Sequence, residues 1–176
     1  GLVGSEMCIR DRAKAERLTR QNFNSEVPYE GSREKPFRFG SFTTMGEFYV
    51  ETGLNIIGMS DYKRILSLDS AMAVVQFKKD HVVYQRNYFI SYPANVMVMR
   101  FSADQPGKQN LVFSYAPNPV STGNMASDGN KGLVYSASLD NNGMKYVVRI
   151  QAETKGGTLF NADGKLTVKG ADEVVF

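Results

Sequence analysis

From Phe37 to the end of the chain, apolar and polar side chains alternate with a period of two. Turn signals break the alternation roughly every 8–12 residues. That pattern constrains the fold more than any other feature of the sequence. In Glu47-Phe48-Tyr49-Val50-Glu51, Phe48 and Val50 share one face and the charges take the other. The spacing predicts further strands over Tyr62–Leu68, Ala71–Phe77, Val82–Ile90, Asn95–Ser102 and Leu111–Tyr115. Leu133–Leu139, Met144–Ala152, Lys165–Lys169 and Glu173–Phe176 continue the series, with one short strand between the turns Lys155-Gly156-Gly157 and Ala162-Asp163-Gly164. Lys79-Asp80-His81 reads as a hairpin turn, since Asp and His accept positive φ better than most residues. Asp104–Lys108 and Asp140-Asn141-Asn142-Gly143 read as turns as well. Ala116–Gly132 is polar and reads as a long loop. About ten strands separated by turns, with no βαβ alternation, predict an all-β, antiparallel two-sheet β-sandwich.

One short helix is expected to precede it. Ala13–Phe23 is rich in good helix formers and free of Gly and Pro, with a thin apolar side at Ala15, Leu18 and Phe23. Asn24–Lys35, with Pro28 and Gly31, reads as a connecting loop.

Residues 1–12, GLVGSEMCIRDR, lack the apolar core and cleavage site of a signal peptide. Leu2–Arg12 resembles the translation of a transposase-end sequencing adapter. The segment is therefore expected to be an artefact that packs against nothing. Cys8, the single cysteine, falls inside it, so redox compartment is not read from it. The chain ends on Val174-Val175-Phe176, an apolar run expected to continue as strand. Both ends are thus expected to be cut.

Composition excludes several classes. No run of about 18 apolar residues exists, so no membrane-spanning helix is expected. The net charge of +3, from 21 Lys+Arg against 18 Asp+Glu, is small and scattered and gives no reason to expect a nucleic-acid partner.

Candidate chemistry is sparse. His81 is the single histidine. With no native cysteine, no zinc site is expected. No G-x-S-x-G elbow accompanies His81 for nucleophilic catalysis. Glu47 and Glu51 share a strand face with Tyr49 between them, and a carboxylate pair can hydrolyse a glycosidic bond. A solvated strand face accounts for them better, although same-face spacing of about 6.5–7 Å between adjacent positions does not by itself separate the readings. Asp128-Gly129-Asn130 is a fragment of a calcium loop without its other ligands. Gly156-Gly157 lacks the strand–helix setting of a phosphate loop. Tyr84, Tyr88 and Ile90 alternate with Gln85, Asn87 and Phe89, which fits a strand buried between layers. The residues by themselves therefore assign no catalytic, cofactor or metal residue.

Linked motifs in Phe39–Phe101 carry more information. They are Gly46 to Phe48, then Tyr62, Arg64, Leu66, Leu68, Asp69 and Ala71, then Arg86, Phe89, Ser91, Pro93 and Val96. In this order they resemble the N-terminal β-domain of glycoside hydrolase family 95, mostly bacterial α-L-fucosidases. The resemblance extends over nearly all of residues 13–176. His81 departs from it at the hairpin glycine, and Ala116–Gly132 has no close counterpart. It implies a super-sandwich type of β-domain in a periplasmic or extracellular enzyme acting on fucosylated glycans. It also implies that an inverting acid/base pair lies in a following (α/α) barrel domain, absent here, on which this domain packs. No catalytic residue and no cofactor is then expected in this chain. A free-standing carbohydrate-binding or adhesive β-sandwich remains the alternative.

Overall fold

The computed structural model of the chain describes residues 12–22, 43–140 and 143–176. Residues 1–42 and 43–176 form separate units. In the first, helix α1 (Arg12–Asn22) lies where the helix-forming composition places it. Ala15 and Leu18 are half-buried, whereas Lys14, Glu16, Arg17 and Thr19 are exposed. The Asn22 side-chain amide donates to the Leu18 carbonyl at 2.9 Å, satisfying one of the last-turn acceptors. The expectations for residues 1–11, Phe23 and the loop Asn24–Lys35 lie outside the described residues.

The second unit is built of antiparallel strands. They are β1 (Gly46–Glu51), β2 (Ser60–Ser67), β3 (Met72–Lys79), β4 (Val82–Ser91), β5 (Val96–Ala103), β6 (Gln109–Pro117) and β7 (Ser121–Ser127). They continue with β8 (Gly132–Leu139), β9 (Lys145–Gln151), β10 (Glu153–Lys155), β11 (Thr158–Ala162), β12 (Lys165–Ala171) and β13 (Glu173–Val175). The hydrogen-bonded orders are β1-β6-β12-β11, β10-β13-β5-β4-β3-β2 and β7-β8-β9.

The all-β antiparallel sandwich is as expected, with two differences. First, hydrogen bonding divides the strands into three sheets, not two. The chain passes from β9 of the three-stranded sheet to β10 of the six-stranded sheet through one buried residue, Ala152. Second, the expected loop over Ala116–Gly132 holds strand β7, paired with β8 from Ser121↔Leu139 to Ser127↔Leu133. A ladder needs only backbone donors and acceptors. An edge strand packed on one side can therefore be as polar as STGNMAS. Its Gly123 allows close approach: a Cβ there would lie 2.5 Å from the Ala137 side chain.

One core joins the three sheets. Leu111, Phe113 and Tyr115 alternate on the inner face of β6, opposite Val168 and Leu166 of β12. Phe113 stacks on Phe176 at 4.6 Å, tying the four-stranded sheet to the end of β13. Tyr115 meets Tyr135 of β8 at 5.4 Å, tying it to the three-stranded sheet. Phe77, Val82 and Tyr84 form a second, smaller cluster.

A hydrogen-bonded corner positions the entry to β1. Asn118 is buried just after β6. Its side-chain amide donates to Thr43 Oγ1 at 2.8 Å and to the Thr44 carbonyl, and its side-chain oxygen accepts from Val120 N–H at 2.9 Å. The Tyr115 hydroxyl donates to the Met45 carbonyl at 2.5 Å. The Tyr146 hydroxyl is hydrogen-bonded to Ser121 Oγ at 2.8 Å and lies 3.2 Å from the same Met45 carbonyl. Gly46 makes this approach possible. A Cβ there would stand 2.5 Å from both the Tyr115 hydroxyl and the Ala116 carbonyl oxygen, and its φ is +153°.

Candidate functional site

Glu47, Tyr49 and Glu51 all project from the outer face of β1, exposed, while Phe48 packs inward on Phe113 and Tyr115. The Tyr49 hydroxyl donates to Glu47 Oε2. That bond, reinforced by the carboxylate's charge, raises the Tyr49 phenol above its ordinary value. The strand also corrects the carboxylate geometry. Glu47 and Glu51 are four residues apart on continuous strand, so their Cα atoms lie about 13 Å apart at the rise of an extended chain. Tyr49 fills the space between them. The pair is a solvated strand face.

His81 sits in the β3–β4 hairpin turn, as expected. Asp80 and His81 have φ of 50° and 65°, so a non-glycine pair holds a turn that usually recruits glycine. His81 is exposed, and its carbonyl accepts from Gln105 Nε2 at 3.2 Å. The surface around it, with Gly58, Ser60, Lys78 and Asp80, is a shallow open depression.

The remaining candidates have structural employment. Asp128 lies in the β7–β8 turn, with Oδ2 3.2 Å from Nε of Arg149 on β9. Its N–H donates to the Gly132 carbonyl at 2.8 Å. Gly156 and Gly157 form the turn between β10 and β11. Both have positive φ, and a Cβ on Gly157 would strike the Lys169 carbonyl oxygen, so Gly157 serves close packing against β12. Among the described residues, no group of three His, Cys, Asp or Glu is placed to hold a metal ion.

Tyr84, Tyr88 and Ile90 share the core side of β4. Tyr84 is buried beside Phe77, with ring centroids 5.3 Å apart, and burial raises its phenol above the ordinary value. Tyr88 meets Phe101 edge-on at 6.2 Å, while Ile90 is exposed. Arg86 takes the core-side position between the two tyrosines. Its guanidinium carbon lies 5.1 Å from the Phe77 ring centre and 5.8 Å from that of Phe101. Arg86, Thr52, Lys108 and the buried Gln109 line a narrow cleft between two of the sheets.

The phenol cluster at the β1 corner gave no sequence signal. Tyr115, Tyr135 and Tyr146 lie on three strands and converge only after folding. Burial, with Tyr146 and Tyr135 close by, pushes the Tyr115 phenol up to about 12. At neutral pH it is a donor to Met45, and nothing there makes it an acid or a nucleophile.

Comparison with known proteins adds two findings. The sequence model described as "Glycosyl hydrolase family 65, N-terminal domain" matches residues 5–176. A protein of Aspergillus niger named "Probable alpha-fucosidase A" is 29% identical over 131 residues, covering 71% of this chain and 16% of that protein. The chain thus spans about a sixth of the length of that relative.

Proposed function

The chain belongs to the glycosyl hydrolase family 65 N-terminal domain family, and from that premise we propose that it is the non-catalytic β-domain of an α-L-fucosidase-like enzyme of family-95 type. In this reading the parent enzyme removes terminal α-linked L-fucose from glycans. The fucosylated glycan is bound by a following (α/α) barrel domain. That domain supplies the inverting acid and base, and the β-domain packs against it. The enzyme acts in the periplasm or outside the cell. No cofactor takes part, and no residue of this chain is assigned a catalytic role.

The observation that carries the reading is the family match over residues 5–176, beside the likeness to a protein named as a fucosidase. The motif order from Gly46 to Val96 supports family 95 within the wider glycosyl hydrolase assignment.

The test is to express residues 13–176, and separately the longest polypeptide the gene encodes, and to measure fucose released from a 2′-fucosylated oligosaccharide. Turnover is expected from the longer polypeptide alone. Turnover by residues 13–176 that disappears in Glu47→Gln or Glu51→Gln would overturn the accessory-domain reading. Specific glycan binding by residues 13–176 without turnover in either form would favour a free-standing carbohydrate-binding module.

A further inference from the structure

The inner face of β6 carries Gln109, Leu111, Phe113 and Tyr115 in alternation, and all four are buried. Gln109 heads this row at 4% exposure, paired with the fully buried Ala171 of β12. Its Nε2 is buried and has no hydrogen-bond partner among the described residues. Burying an amide without a partner is costly, so such groups in native proteins bond to protein, water or an ion.

This amide lines the narrow cleft between the four-stranded and six-stranded sheets that also holds Arg86. Arg86 comes from β4, with Val75 and Phe101 beside it in the ladder. Its guanidinium lies over the Phe77 and Phe101 rings, at 5.1 and 5.8 Å. Among the described residues it makes no ion pair and no hydrogen bond. No Asp or Glu lines the cleft. Glu51 is exposed on the outer face of β1, and Asp104, exposed at the end of β5, accepts from Val83 N–H at 2.9 Å. Lys108 adds a second cation to the lining, at an exposed position. Thr52 adds a hydroxyl, whose oxygen accepts from Leu54 N–H at 3.4 Å and whose hydrogen is left to donate.

Each of these four side chains can donate, and the guanidinium and ammonium groups cannot accept. A water needs acceptors as well, whereas an anion needs donors alone. The cleft holds about 10 Å³, room for one particle about the size of water. Phosphate, sulfate and sugar carboxylates are too large for it. We propose that the cleft binds a single halide-sized anion, chloride above all, held by the Arg86 guanidinium and the Gln109 side-chain amide, with Lys108 adding charge. The ion ties β4 of one sheet to β6 of the other.

Thermal melting of the 176-residue chain tests it, in chloride and in gluconate at equal ionic strength. Gluconate is too large to enter. Chloride is expected to raise the melting temperature by roughly 3 °C or more, the shift for a ligand at about ten times its dissociation constant. Gln109→Glu has the same shape and sets a carboxylate beside Arg86 in the anion's place, so its chloride shift is expected to vanish. Lys108→Gln changes an exposed side chain and decides the matter if Gln109→Glu does not fold. It is expected to weaken chloride binding about two- to fivefold, followed by the line width of chloride-35 magnetic resonance. A crystal soaked in sodium bromide is expected to show one anomalous peak between Arg86 and Gln109. Equal melting in both salts overturns the proposal, as does an equal chloride shift in wild type and Gln109→Glu or unchanged affinity in Lys108→Gln. A water in the cleft with no bromide peak, or a Gln109 amide turned to accept from Arg86, also overturns it. A bromide peak without a chloride shift in melting marks binding at crystal concentration only and does so too.

Discussion

Gly46→Ala probes the corner that sets β1 in place. The added methyl would lie 2.5 Å from the Ala116 carbonyl oxygen, 2.5 Å from the Tyr115 hydroxyl and 2.7 Å from Tyr115 Cε2. All three are well inside van der Waals contact, and none belongs to the free end of a flexible chain. Relief requires the strand to move off β6, where Gly46 faces Pro117, or the phenol to give up its bond to Met45. Overpacking a closed site costs about 1–3 kcal/mol. Holding alanine at a φ of +153° costs on the order of 1–3 kcal/mol more. A lost hydrogen bond at Tyr115 adds about 1 kcal/mol. The sum, about 3–5 kcal/mol after partial relaxation, is a large share of the roughly 5–15 kcal/mol of an ordinary domain. The assay is urea denaturation followed by far-ultraviolet circular dichroism, with Tyr115→Phe and the double variant completing a cycle. Removing the hydroxyl takes away one of the three clashes. The double variant is therefore expected to be more stable than additivity predicts, by about 1 kcal/mol. A loss below about 1 kcal/mol in Gly46→Ala, or strict additivity in the cycle, would refute the argument.

Three further outcomes are expected. Phe113→Ala removes a fully buried ring that stacks on Phe176 and touches Phe48; it should cost about 3–5 kcal/mol in the same denaturation assay. Arg100 donates to Glu173 at 2.5 Å and holds its carboxyl below the ordinary value of 4.5. A depressed carboxyl stabilises the fold above its unfolded value and loses that contribution as pH falls through the folded one. Glu173→Gln should therefore cost at most about 1 kcal/mol at pH 7, because both side chains are partly solvated, and the deficit should close below about pH 4.5. Glu47→Gln removes the carboxylate that raises the Tyr49 phenol, so ultraviolet titration should show one tyrosine ionising at lower pH, with stability unchanged.

The strands legible in the sequence are those whose side chains alternate between core and solvent. β6 (QNLVFSYAP) announces itself because burying one face selects residues at every second position. The hairpin at Asp80-His81 was legible for a local reason, the tolerance of those side chains for positive φ. The weakness of His81, Asp128 and Gly156 as sites could also be read locally, since each lacked the neighbours its chemistry needs. What folding alone decided is non-local. Strand β7 carries no alternation because its backbone, not its side chains, ties it to β8. Between β9 and β10 a single residue, Ala152, separates strands of two different sheets, a change that no pattern marks. The Tyr115–Tyr146–Met45 corner joins residues up to 101 positions apart. A sequence records which residues must be buried; which partners bury them, and which are left without cover, is settled by pairing between distant strands.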